Sequence, residues 1–136
     1  MDRMYDLNNT PETLIRWQPK VVKADNIVVI YNIPPDMQSN AFLTICEITF
    51  AVSEKVTTIG RNHNNNFAIK GDMYISSFHA KIFHRDKEYY IIDENSTNGT
   101  FINRNPIFKG ELYQLHKGDL IQLGVNTVIE FNIFSA

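Results

Sequence analysis

The stretch HAKIFHRDKEYYIIDENSTNGTFIN, residues 79–103, joins two strand-like runs to a crowded polar loop. HAKIFHR (79–85) and EYYIID (88–93) read as short strands separated by a turn at Asp86-Lys87. The sequence then turns small and polar before closing on the apolar pair Phe101-Ile102. Asn98-Gly99 suits a tight β-hairpin, because both residues tolerate positive φ. Ser96, Thr97 and Thr100 add hydroxyls around the same tip, more polar chemistry than a turn alone requires.

The same rhythm of short strands and turns extends in both directions. Upstream lie NIVVIY (26–31), AFLTICEITFAV (41–52), KVTTIG (55–60) and FAIKG (67–71), with a two-proline loop at 32–40. Downstream lie TFIN (100–103), DLIQLG (119–124) and NTVIEFNIF (126–134). In the last of these Ile129, Phe131 and Ile133 alternate with Glu130 and Asn132, the period of a half-buried strand. No long amphipathic helix separates the strands, which argues against βαβ units. The pattern predicts an all-β antiparallel sandwich. Within 41–52, an unbroken strand would put Cys46, Ile48 and Phe50 on one face and predicts a buried, inert thiol at Cys46.

Residues 1–24 differ and are assigned to an N-terminal extension, leaving 25–136 as the sandwich domain. Thr10 and Pro11 form a helix-start signal, Thr10 as N-cap and Pro11 at the first helical position. Pro19 would end that helix after about two turns, a length that is marginal alone. Leu14, Ile15 and Trp17 could dock it on the domain or on a partner.

Composition narrows the function classes. The 136 residues are 43% hydrophobic and 21% charged, with a net charge of -2, which fits one soluble domain without a nucleic-acid footprint. The single cysteine rules out an intrachain disulfide or a Cys-rich zinc site. His63, His84 and His116 follow no metal spacing, so neither metal nor cofactor is expected. No membrane span or secretory leader is visible, and the expectation is an intracellular domain, cytoplasmic or, in a eukaryote, nuclear, for which the three N-x-S/T sequons are chance matches.

In a sandwich, loops at one end converge and carry function. Three have suggestive chemistry: IGRNHNNN (59–66), YISSFHA (74–80) and STNGT (96–100). Together they offer a guanidinium, hydroxyls, an amide and backbone N–H groups, with no carboxylate among them. Such a set suits a phosphate ester, since arginine can fork two phosphate oxygens while hydroxyls reach the third.

Gly60-Arg61, then Ser76-x-x-His79, STNGTFIN (96–103) and GDLIQLG (118–124) together resemble the forkhead-associated domain, an FHA/SMAD-like β-sandwich that binds phosphothreonine. The resemblance spans about residues 42–134, and its strength lies in the order of motifs that are individually weak. It implies that Arg61 grips phosphate, that Ser76 donates a hydroxyl to it, and that Ser77 reaches it or the nearby peptide. Thr97 and Asn98 would lie beside the phosphothreonine, Asn98 bonding the peptide backbone, and Tyr74 would read the residue three after it. Gly60, His79 and Gly99 match structural positions.

The resemblance further implies a non-catalytic adaptor whose partner is a phosphothreonine protein or peptide, written by an upstream serine/threonine kinase. Ser77-Phe78 departs from the basic or amide-bearing residues common there, Asn66 replaces a frequent acid, and Arg104-Asn105 replaces a repeated NG. These changes bear on affinity and sequence preference. A phosphate-independent scaffold or dimerisation domain of the same fold is the alternative. A Ser76/His79/Asp93 triad, or Cys46 with His79 and Asn98, lacks any nucleophile elbow or family signature. Phosphorylated Thr10 or Thr13 could fold back onto Arg61, against the simpler expectation of an ordinary tail.

Overall fold

Short β-branched runs punctuated by turns build two sheets in the computed structural model, which describes residues 19–33, 40–52 and 55–134. In chain order the strands are β1 (Lys20–Ala24), β2 (Ile27–Tyr31), β3 (Ala41–Ile45), β4 (Ile48–Ala51), β5 (Val56–Gly60), β6 (Phe67–Lys70) and β7 (Ala80–Arg85). They continue as β8 (Glu88–Asp93), β9 (Thr100–Ile102), β10 (Asn105–Pro106), β11 (Tyr113–Leu115), β12 (Leu120–Leu123) and β13 (Thr127–Ile133). One sheet runs β1-β2-β6-β5-β7-β8-β11, the other β10-β9-β12-β13-β3-β4. The fold is the expected all-β sandwich, with one departure from antiparallel pairing: β5 and β6 run parallel, Ile59 opposite Phe67.

Alternation decides which side chains enter the core. On β13 Ile129 and Phe131 are fully buried while Val128 is exposed. Inward rings meet across the sheets: Phe50 on β4 lies 5.2 Å from Phe67 on β6, and Tyr89 on β8 lies 5.4 Å from Phe131. Tyr31 crosses the same gap, donating its hydroxyl to the Ala51 carbonyl at 2.7 Å. These contacts lock one sheet on the other and fix where the loops at each end emerge.

Several expectations need correction. Residues 41–52 form a hairpin, not one strand: Cys46 and Glu47 take φ of 50° and 68° and reverse the chain, pairing Ile45 with Ile48. A two-residue turn inverts parity, so β3 buries odd positions (Leu43, Ile45) and β4 the even position Phe50. Cys46 at the tip is therefore exposed rather than buried. The first sheet begins at Lys20, inside the segment assigned to the extension, because β1 pairs along its whole length with β2. The helix start at Thr10-Pro11, with Leu14, Ile15 and Trp17, lies outside the described residues, as do residues 34–39 of the two-proline loop.

The opening loop also differs. Asp86 and Lys87 do make a hairpin turn between β7 and β8, with φ of 52° and 69°. Asn98-Gly99 does not, because β8 and β9 belong to different sheets. The segment between them is a crossover in which Asn95 (φ 63°) and Gly99 (φ 92°), rather than Asn98, take the left-handed conformation.

Candidate phosphopeptide site

Gly60, at the end of β5, seats the first loop against the second. Arg61 N–H donates to the Ser76 carbonyl at 2.9 Å, Asn62 N–H to the Ser77 carbonyl at 3.1 Å, and His79 N–H to the Ile59 carbonyl at 2.9 Å. This approach is so close that a Cβ on Gly60 would lie 2.3 Å from the Ser77 carbonyl oxygen. The obstructing atom is backbone, so the loops cannot yield without breaking these bonds. Gly60→Ala is expected to destabilise the fold by about 2–3 kcal/mol. A thermal melt should show a Tm lower by on the order of 10 °C.

His79 ties the second loop to the third. It is fully buried; Nδ1 accepts the Ser76 N–H at 3.0 Å and Nε2 lies 2.9 Å from the Gly99 carbonyl. An amide can only donate, so Nδ1 is unprotonated and Nε2 carries the hydrogen given to Gly99. Burial pushes this imidazole below the usual histidine range, against the opposing pull of the Gly99 bond and the charges of Asp93 and Asp72. Both ring nitrogens are committed to main chain, so His79 cannot act as a base on the Ser76 hydroxyl.

A lowered pKa means that the unfolded chain binds the proton more readily. His79 therefore contributes stability that is present above about pH 6.5 and declines as pH falls toward the folded-state pKa. In denaturant titrations, the stability gap between the protein and His79→Asn is expected to narrow below pH 6.5. A gap that widened on acidification would contradict this arrangement.

Around that brace the candidate binding groups gather. Arg61 is exposed, and its Nε donates to the Ile75 carbonyl at 2.8 Å, which aims the side chain while leaving both Nη groups for a ligand. Among the described residues it pairs with no carboxylate. Ser76 Oγ accepts the Thr97 N–H at 3.0 Å, so its own hydrogen remains to be donated. Ser77, Thr97 and Asn98 are exposed. Asn98 Nδ2 donates to the Tyr74 carbonyl at 3.0 Å, which leaves its Oδ1 and a second N–H outward. Tyr74 is half-exposed on the far side of that bond.

Two of the expected hydroxyls, those of Ser96 and Thr100, are turned inward from the tip. Ser96 is fully buried, and its Oγ donates to Asp93 Oδ2 at 2.6 Å while accepting the Gly99 N–H at 3.0 Å. Thr100 Oγ1 donates to the same Asp93 oxygen at 2.6 Å, and the Ser96 N–H to Asp93 Oδ1 at 2.7 Å. Asp93 is thus the knot of the third loop, a role the sequence reading missed. Its available signal was D-x-x-S, an acceptor three residues before a hydroxyl and an amide it can hold. Burial alone would raise the Asp93 pKa, yet the bonds from Ser96 and Thr100 and the nearby His79 outweigh it and hold the carboxyl below its usual range.

Two asparagines shape the first loop. Asn65 is buried and donates to the Asn62 and Ser77 carbonyls, both at 2.8 Å. Asn66 Oδ1 accepts the Thr58 N–H at 2.9 Å, doing as a neutral acceptor what an acid would do there.

Three loops laced by main-chain bonds thus present one cation and several hydroxyl and amide groups at one end of a sandwich. The FHA-domain family model matches residues 57–124. The chain belongs to the FHA-domain family. Among curated proteins, this FHA domain is 28% identical to mouse angiogenic factor with G patch and FHA domains 1, over 86% of this chain and 16% of that protein. It is 29% identical to the glycogen accumulation regulator GarA of Mycobacterium tuberculosis, over 55% of this chain and 44% of GarA. The FHA domain thus spans less than half the length of these relatives.

Solved structures give the same family. One FHA domain, from a study of phosphothreonine-dependent FHA interactions, matches with a TM-score of 0.63 and 28% identity, covering 71% of this chain and 98% of that one. The MEK1 FHA domain in complex with a HOP1 phosphothreonine peptide matches with a TM-score of 0.62 and 26% identity, covering 72% and 100%.

Proposed function

We propose that this FHA domain binds phosphothreonine peptides and acts as a phosphorylation-dependent adaptor downstream of a serine/threonine kinase. The observation that carries the proposal is the free Arg61 guanidinium, aimed by the Ile75 carbonyl beside a Ser76 hydroxyl that still has its hydrogen to give. Arg61 forks two phosphate oxygens, Ser76 and Ser77 supply hydroxyl donors, and Asn98 bonds the peptide main chain through its outward amide. Thr97 and Tyr74 border the peptide on either side of Asn98. The loops are fixed by internal bonds before any ligand arrives, so little ordering entropy opposes binding.

A titration with a degenerate phosphothreonine peptide library tests this, with phosphoserine and unphosphorylated sets beside it. Binding should need the phosphate. Burying the threonine methyl, at about 0.8 kcal/mol, favours phosphothreonine over phosphoserine by roughly fourfold or more. Equal binding of phosphorylated and unphosphorylated sets would overturn the proposal in favour of a phosphate-independent scaffold.

A further inference from the structure

Asn98-Gly99 is the single Asn-Gly pair of the chain, and the fold uses both members. Gly99 takes φ of 92°, a conformation that residues with a side chain rarely adopt. Asn98 is exposed and ties the third loop to the second, its Nδ2 donating to the Tyr74 carbonyl at 3.0 Å. That pairing carries a chemical liability. A backbone nitrogen that loses its proton can attack the side-chain amide carbon of the asparagine before it. Glycine, without a Cβ, obstructs that approach least.

The reaction balances with water as its only co-reactant. The Gly99 nitrogen bonds to Asn98 Cγ, the Cγ–Nδ2 bond breaks, and the side-chain nitrogen leaves as ammonia, closing a succinimide ring. Water then opens the ring at either carbonyl. One opening leaves aspartate in place of Asn98; the other leaves isoaspartate, with the main chain routed through the former side chain. Either product replaces a neutral amide by a carboxylate that has no hydrogen to give the Tyr74 carbonyl or a peptide.

The bonds of the loop oppose the attack. Gly99 N–H donates to Ser96 Oγ at 3.0 Å, so the nucleophile keeps its proton and its place. Ser96 is held in turn by Asp93, which takes its hydroxyl hydrogen at 2.6 Å. The Gly99 carbonyl is fixed by His79 Nε2 at 2.9 Å and by the Gly124 N–H at 3.1 Å. Asn95-Ser96, in the same loop, is guarded alike: the Ser96 N–H is committed to Asp93 Oδ1 at 2.7 Å. We infer that Asn98 is a deamidation site whose conversion switches the phosphothreonine site off, and that the Asp93–Ser96 knot, reinforced by bound peptide, sets how slowly this happens. The modification stands without the phosphothreonine proposal, and the loss of peptide binding rests on it.

The test incubates the full chain in warm neutral buffer, folded and in urea, and follows Asn98 by peptide mapping that resolves isoaspartate from aspartate. The reaction waits on local opening, so the folded chain should convert at least about tenfold more slowly than the unfolded one. Ser96→Ala should speed conversion of the folded chain about fivefold, the factor for one lost hydrogen bond. Ser96→Cys, closer in size and with a sulfur that accepts only weakly, gives the same reading should the alanine variant not fold. A saturating phosphothreonine peptide, which needs no variant, should slow conversion further. Converted protein, and Asn98→Asp beside it, should bind that peptide at least about tenfold more weakly than the parent. Equal rates in the folded and unfolded chain, or a folded Ser96 variant no faster than the parent, overturns the guard. Converted protein that binds as tightly as the parent overturns the switch. Failure of every phosphothreonine peptide to bind the unconverted chain removes the phosphothreonine proposal and the switch with it, while the rates still judge the modification.

Discussion

Arg61→Ala is expected to lower affinity for a phosphothreonine peptide by at least about a hundredfold while leaving the fold intact. Each charge-assisted hydrogen bond to phosphate contributes about 1.5–3 kcal/mol, and a forked guanidinium makes two. No other arginine or lysine lies in the three loops, so nothing nearby substitutes. The side chain is exposed and gives the fold one bond, from Nε to the Ile75 carbonyl, so thermal stability should shift little. Arg61→Lys should recover only part of the loss, since an ammonium is a point charge without the planar fork. Isothermal titration of the three proteins with one peptide measures this. Equal affinity of Arg61→Ala and the parent protein would remove the guanidinium from the account.

Asp93→Ala should have the largest effect on stability, about 3–5 kcal/mol. The carboxylate is fully buried and accepts three bonds, from the Ser96 amide and the Ser96 and Thr100 hydroxyls. Truncation strands those buried donors, at a cost of about 1–3 kcal/mol for each left unsatisfied. Asp93→Asn should cost less, because one oxygen still accepts the Ser96 amide while the new NH2 can donate to rotated hydroxyls. Urea unfolding of both variants gives the order. The loop carrying Thr97 and Asn98 is held by this knot, so phosphopeptide affinity should fall in the same order. An alanine variant as stable as the parent would contradict the role given to Asp93.

How far the sequence carried this picture depended on how local the governing physics was. The sandwich was legible because alternation such as Ile129, Phe131 and Ile133 against Glu130 and Asn132 records a half-buried strand directly. The β3–β4 hairpin was missed because Cys46-Glu47 lacks turn residues. The only trace was the shift of apolar positions from odd, at Leu43 and Ile45, to even, at Ile48 and Phe50. Asn98-Gly99 carried turn chemistry, but that chemistry does not say whether the chain returns to the same sheet or crosses to the other. The two-residue β10 and the three-residue β11 are too short to show a period.

The site followed the same rule. Its loops were recognisable by residue type, and the structure brings Arg61, Ser76, Ser77, Thr97, Asn98 and Tyr74 to one end of the sandwich. What the sequence could not show was the division of labour among similar hydroxyls. Ser76 faces outward with a hydrogen to give, whereas Ser96 is turned inward onto Asp93. That difference is set by burial and by partners up to twenty-one residues away, such as the Thr97 amide on Ser76.

The most direct measurement of the central claim is an amide NMR titration of the full chain with one phosphothreonine peptide and its unphosphorylated twin. The amides of Arg61, Ser76, Ser77, Thr97 and Asn98 should shift together, saturate at one dissociation constant, and stay still with the twin. Shifts confined to another face, or the same shifts with the unphosphorylated peptide, would contradict it.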